Sequence, residues 1–183
     1  MAFIVLAAGA GRRFGGPKQI APLAGRPLLQ HVLDAAPGPL TVVLGAHAGE
    51  IRATVDLEGV DVVVCEDWEE GQAASLRAGV AAAGPVDAVV VLLGDMPFVT
   101  GQVVVGALDH LTAGWDAVRT LYRGVPGHPV VLGRRVLARV PELRGDVGAR
   151  DLLRSFRVRE WEAGQLCDPV DVDTPEQLEA IAR

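Results

Sequence analysis

Residues 4–18, reading Ile-Val-Leu-Ala-Ala-Gly-Ala-Gly-Arg-Arg-Phe-Gly-Gly-Pro-Lys, constrain the chain more than any other stretch. Residues 3–6 form an apolar run short enough for a buried strand. The small residues Ala7, Ala8, Gly9, Ala10 and Gly11 then let the backbone turn sharply and approach a ligand closely. Arg12, Arg13 and Lys18 lie within reach of that loop, so bare N–H groups and cationic side chains can converge on a polyphosphate.

Spacing decides which phosphate loop this is. A dinucleotide fingerprint needs a third glycine or alanine where Phe14 stands, and no acidic residue follows the expected second strand at 40–44. A Walker A loop needs Gly-Lys-Ser/Thr, whereas Lys18 is preceded by Pro17 and followed by Gln19. What remains is Leu6-Ala7-Ala8-Gly9-x-Gly11-x-Arg13-Phe14-Gly15-x-Pro17-Lys18. It resembles, at every fixed position, the L-A-A-G-x-[GS]-x-R-[MF]-G-x-x-K loop of the nucleotidyltransferases that move an NMP from an NTP to a phosphate or sugar phosphate.

The rest of the chain reads as one α/β domain spanning 1–183. Strands are expected at 40–44, 60–65, 88–93 and 116–122, with 60–65 of the kind buried on both faces. Helices are expected around Leu28, Leu29, Val32 and Leu33, and at 50–55, 73–83 and 101–113, the last capped by Thr100. Residues 25–27 read as a turn. This alternation implies a three-layer α/β/α sandwich with a Rossmann-like, mostly parallel sheet, whose ligands bind beyond the carboxyl ends of the strands. Hydrophobic residues make up 50% of the 183, which suits a packed core, and the net charge of −6 argues against a nucleic-acid partner. The apolar start lacks the preceding cations of a signal peptide, and no run reaches the length of a membrane span, so the expected location is the cytoplasm. Cys65 and Cys167 form no metal-binding or disulfide pattern.

Five further segments carry candidate chemistry. Asp95, in Gly94-Asp95-Met96-Pro97 after the most apolar strand, is either a turn residue or a carboxylate poised for a hard cation. In Glu66 to Arg77, Gly71 allows a tight turn and Ser75 offers polar groups that could read a pyrimidine edge. The plain alternative for this segment is an early-helix serine and a packed Trp68. His128, in Gly127-His128-Pro129-Val130, is a turn histidine or a donor to a phosphate. In Gly145 to Arg150, Asp146 reads as a helix cap and Arg150 as an anion contact. Finally, Thr174, Pro175 and Gln177 spell a capping box, while Asp171 and Asp173, two apart in an extended segment, share a face.

These segments resemble, in order, those of the molybdenum-cofactor branch of the same nucleotidyltransferase superfamily. The resemblance implies a nucleotide site of Leu6, Ala7, Ala8, Gly9, Gly11, Arg12, Arg13, Lys18, Gly71, Ser75, Leu76 and Asp95. It also implies Mg²⁺ on Asp95 with Asp171, Asp173 or both, and an acceptor contact from His128 and Arg150. Arg13, Lys18 and Asp95 would be catalytic in displacement of pyrophosphate from the NTP by an acceptor phosphate. The acceptor implied is a molybdopterin, with docking to a molybdoenzyme or its chaperone. Leu-Ala-Ala-Gly is the cytidylyltransferase form of the loop and Leu-Ala-Gly-Gly the guanylyltransferase form, so CTP is favoured over GTP. Another small-molecule cytidylyltransferase, or a nucleotide-binding accessory protein without turnover, stays open. Two energetic expectations accompany this reading. Lys18 should be an exposed loop lysine of little weight in folding, and the acids should repel one another until a cation arrives.

Overall fold

The computed structural model describes residues 1–145 and 148–182. Its strands in chain order are β1 (Ala2–Ala7), β2 (Pro22–Leu23), β3 (Arg26–Pro27), β4 (Leu40–Leu44), β5 (Val60–Val64), β6 (Ala88–Leu93), β7 (Ala117–Tyr122), β8 (Val125–Gly133) and β9 (Val158–Glu162). Seven of them form one sheet in the order β5-β4-β1-β6-β8-β7-β9. Strands β5, β4, β1 and β6 run parallel, and so do β7 and β9. Strand β8 lies antiparallel between β6 and β7, so the sheet is mostly parallel.

Alternation along β1 shows how the layers arise. Phe3, Val5 and Ala7 point to one face and join the core under helices α1 (Leu28–Asp34), α2 (Ala48–Thr54) and α4 (Gly101–Asp109). Ile4 points to the other, under α3 (Gln72–Ala83), α5 (Arg134–Leu137) and α6 (Ala149–Leu153). The central strands β4, β1 and β6 thus bury both faces, giving the expected three-layer sandwich. The last helix, α7 (Pro175–Ile181), has no buried residue and is held at its start by its cap.

Local differences have physical causes. β5 is a sheet edge with only β4 beside it, and Val64 is 43% exposed, so this apolar strand is not buried on both faces. Residues 25–27 are not simply a turn. Ala24 and Gly25 take φ of 49° and 79°, and Arg26–Pro27 returns to pair with Pro22–Leu23 as a small hairpin. The helix expected to reach residue 113 ends at Asp109. Strand β9, with its alternating charges, is not expected from the sequence, and α2 begins at Ala48 rather than Glu50.

Helix α3 seats on the sheet through Gly79, where an added Cβ would lie 2.7 Å from Ile4 Cγ2 and 3.0 Å from Val43 Cγ2. Alanine normally stabilises a helix interior by up to about 1 kcal/mol relative to glycine, but overpacking costs about 1–3 kcal/mol. Gly79→Ala is therefore expected to lose about 1–2 kcal/mol in urea unfolding. Gly49→Ala on α2, with nothing within 4 Å, is expected to gain about 0.5 kcal/mol. A gain at both positions would show that α3 is not seated this closely.

Candidate active site

The loop after β1 is shaped by glycine and pinned by glutamine. Gly11 has φ 62°, and a Cβ there would collide with the Gly16 carbonyl. The N–H groups of Phe14, Gly15 and Gly16 donate to Gly11 O at 3.0, 2.9 and 3.3 Å. The segment 14–16 therefore folds back on Gly11, so its donors are turned to the loop itself. Gln19, buried in the 3₁₀ turn Lys18–Ile20, donates from Nε2 to Ala7 O at 2.9 Å and Gly9 O at 3.2 Å. It fixes the backbone on both sides of the turn.

Three segments remote in sequence meet at Lys18. Gly94 N donates to Leu6 O at 2.9 Å, joining the ends of β6 and β1, and Val172 N donates to Asp95 O at 2.9 Å. Val172 is fully buried, which turns Asp171 and Asp173 away from the core. The α7 capping box forms as expected: Thr174 Oγ1 accepts from Gln177 N, while Gln177 Oε1 accepts from Thr174 N at 3.0 Å and Asp173 N at 2.7 Å. Lys18 Nζ then lies 2.7 Å from Asp95 Oδ2 and 2.9 Å from Asp173 Oδ1, and Arg13 Nη2 lies 2.8 Å from Asp173 Oδ2.

This geometry overturns both energetic expectations. The Lys18 side chain is only 13% exposed, so it is not an exposed loop lysine. A resident ammonium already compensates two of the acids. Burial alone would lower the Lys18 pKa, but Asp95 and Asp173 together raise it above its ordinary value. Burial would likewise raise Asp173, and Lys18 and Arg13 outweigh it and hold the carboxyl low. Asp171 differs. Burial, then the charges of Asp95 and Asp173, push it up to about 6 against the opposing pull of Lys18.

Among the described residues, no three His, Cys, Asp or Glu side chains are grouped so as to hold a metal by themselves. The Asp95–Asp173 pair nevertheless fits a hard cation. Its oxygens already hold one positive charge, and Asp95 Oδ1 is buried without a hydrogen-bond partner.

Adjoining cavities run along the carboxyl ends of the strands. One of about 500 Å³ is lined by Ala8, Gly9, Arg12, Trp68, Gly71 and Ser75. The next, of about 470 Å³, includes Leu6, Ala7, Gly11, Arg13, Lys18, Asp95 and Asp173. A third, of about 300 Å³, is lined by Arg119, His128, Arg150 and apolar side chains, and Gln72 borders all three. Asp171 instead opens on a fourth, of about 290 Å³, with Tyr122, Met96 and His128. It lines a different cavity from Asp173, while still feeling the charges of Asp95 and Asp173. Leu76 is corrected: at 1% exposure it packs in the core beneath Ser75 and lines none of these cavities. Asp146 lies outside the described residues.

His128 is desolvated, which lowers its pKa to about 4 against the raising effect of Asp95. At neutral pH it can donate one hydrogen bond but carries no charge. Glu70, in the acidic cluster, is paired with Arg77 at 2.6 Å and accepts from Gly145 N at 3.2 Å, bracing the wall of the first cavity. Sequence reasoning missed Gln19, Gln72 and Arg119. Gln19 carried a readable signal as the polar neighbour of Lys18. Arg119 sits inside a strand of alternating residues and carried none.

The MobA-like NTP transferase domain matches residues 3–162. A protein named nicotine blue oxidoreductase, from Paenarthrobacter nicotinovorans, is 35% identical over 96% of this chain and 93% of its own length. The crystal structure of Rv0371c from Mycobacterium tuberculosis H37Rv superposes with a TM-score of 0.88 at 35% identity, covering 99% of this chain and 96% of that one. A complex of Rv0371c with manganese gives 0.83 at 32% identity, over 99% and 97%. A nucleotidyl transferase from Methanothermobacter thermautotroptrophicus gives 0.79 at 25% identity, over 99% and 95%. With the domain matched over most of its length and a full-length relative above 30% identity, the chain belongs to the MobA-like NTP transferase family.

Proposed function

We propose that this chain is a divalent-cation-dependent nucleotidyltransferase, active in the cytoplasm, that moves CMP from CTP onto the terminal phosphate of molybdenum cofactor and releases pyrophosphate. The observation that carries the reading is the cluster Arg13, Lys18, Asp95 and Asp173, set in a crevice between one cavity lined by Ala8, Trp68 and Ser75 and another lined by Arg119, His128 and Arg150. Arg13 would bind the departing β- and γ-phosphates and Lys18 the α-phosphate. His128 and Arg150 would orient the acceptor phosphate. One of its oxygens bonds to the α-phosphorus as the bond to the bridging α–β oxygen breaks, and pyrophosphate leaves with the electron pair. The nucleophile is already ionised, so positioning suffices without a general base. Mg²⁺ held by Asp95 and Asp173 would supply neutralisation of phosphate charge.

CTP is favoured by the wall at Ala8. The residue is 5% exposed, and a Cβ on the facing Gly45 would lie 2.5 Å from Ala8 O and 2.8 Å from Trp68 Cβ. Ala8 is therefore backed by close packing, and its methyl cannot retreat from a base that presses on it. A second reading is supported by the whole-length relative named as an oxidoreductase. In that case the same cations would hold the pyrophosphate of a dinucleotide. Parallel assays separate the two readings. Pyrophosphate release is followed with each of the four NTPs, Mg²⁺ and molybdenum cofactor or its pterin precursor, alongside oxidation of NADH and NADPH.

Release with CTP at least about tenfold above GTP is expected, since one methyl in a pocket is worth about 1–3 kcal/mol, and Ala8→Gly should narrow that ratio. Equal or better use of GTP would sink the nucleotide assignment, and NADH oxidation without pyrophosphate release would sink the transferase. Asp95→Asn is expected to lower turnover by about a hundredfold or more. Lys18→Ala should lower turnover similarly, and should also cost about 1–2 kcal/mol of stability, because it strips two partly buried carboxylates of their partner. Normal activity with a reduced melting temperature in Lys18→Ala would mark the lysine as structural only.

A further inference from the structure

Lys18 occupies the space between the two carboxylates that would hold a metal. Its ammonium touches one oxygen of Asp95 and one of Asp173 at once, while Arg13 takes the remaining Asp173 oxygen. The last oxygen of the pair, Asp95 Oδ1, is sealed from solvent without a partner. Lone carboxylates in a crevice would attract any divalent cation in solution. These are neutralised, charge for charge, by Lys18 and Arg13.

The backbone around the cluster is held independently of these ion pairs. Gln19 ties the Lys18 turn to Ala7 and Gly9, the capping box holds Asp173, and Val172 holds the Asp95 loop. The long side chains of Lys18 and Arg13 can therefore swing without moving the chain.

We infer that Lys18 is a built-in counter-ion that keeps the Asp95–Asp173 site closed to free divalent cations until a nucleotide's phosphates draw Lys18 and Arg13 away. This rests on the nucleotidyltransferase reading and deepens it. Cation and nucleotide enter by exchange: the phosphates take the two side-chain cations, and the carboxylates take the metal. Because linkage is reciprocal, each ligand must tighten the other. Metal–phosphate bonds would couple the two ligands at any carboxylate site, so the mark of exchange is that removing the Lys18 charge tightens metal binding without nucleotide.

The test is binding of Mn²⁺ to the whole protein, read from loss of the free-ion signal in electron paramagnetic resonance. It is made with and without a CTP analogue carrying a methylene between the α- and β-phosphorus, and the Mn²⁺ affinity of the analogue alone is subtracted. Exchange predicts weak Mn²⁺ binding by the protein alone, tightening about tenfold or more with the analogue. Lys18→Met, which keeps the apolar stem and removes the charge, should bind Mn²⁺ alone about tenfold tighter than the parent, and the coupling should shrink. Arg13→Met guards against misfolding of the first variant, since the Arg13 side chain is 74% exposed. It should shift Mn²⁺ affinity in the same direction by less. Mn²⁺ affinity equal with and without bound analogue, or unchanged in both variants, would overturn the exchange while leaving nucleotide binding intact. Failure of the parent protein to bind the analogue at all, with or without Mn²⁺, would instead overturn the nucleotidyltransferase reading on which the exchange stands.

Discussion

A part-buried ammonium bridging two carboxylates marks the point on which the functional end of this molecule converges. The partners of Lys18 stand 77 and 155 residues away in the chain, so the ion-pair cluster forms only when β1, β6 and the segment before α7 have all reached their places. The parallel sheet makes this possible. Strands side by side in one direction deliver their following loops to the same edge, and the bonds from Gly94 to Leu6 and from Val172 to Asp95 set the spacing. What the core contributes to function is this alignment. The helices on either face keep β1 and β6 in register, and the register puts Asp95 opposite Lys18.

Features written in local chemistry are legible in the sequence alone. The loop around Gly11, the carboxylate at Asp95 and the capping box at Thr174 each depend on residues within a few positions of one another. The layered fold is legible too, because apolar strands alternating with helical faces admit few other arrangements. Features set by neighbours distant in sequence are not. Val60 to Val64 reads as an interior strand from composition, yet its order in the sheet leaves it an edge. Val158 to Glu162 drew no expectation from the sequence, yet pairs along β7. Composition reports how apolar a strand is and says nothing of how many neighbours it has.

The same distinction runs through the site. Ser75 and Leu76 are adjacent, and one lines a cavity while the other packs in the core, because a helix turns by about 100° per residue. Asp171 and Asp173 do stand on one side of the chain, as an extended segment requires, but Asp171 opens on the cavity shared with His128 and Tyr122. Two residues of extended chain span about 7 Å, enough to part their surroundings without turning either one inward. The burial of Lys18 could not be read from its own segment, since it comes with acids supplied by the turn after β6 and the segment before α7.

That burial bears on how little the site must rearrange to work. The groups that fix the backbone here, Gln19 on Ala7 and Gly9, Gln177 on Asp173 and Thr174, and Val172 on Asp95, are separate from the charged side chains that would meet a ligand. Charges that move on a rigid frame exchange partners by side-chain rotation alone, a fast motion that leaves packing untouched. Dipoles and charges already aimed into the crevice cost little to reorganise when charge shifts during transfer, which is the condition for electrostatic stabilisation to be large. A loop that had to fold around its ligand would surrender part of its binding energy to ordering. Here the ordering is completed with the fold, by hydrogen bonds that use none of the site's charged side chains.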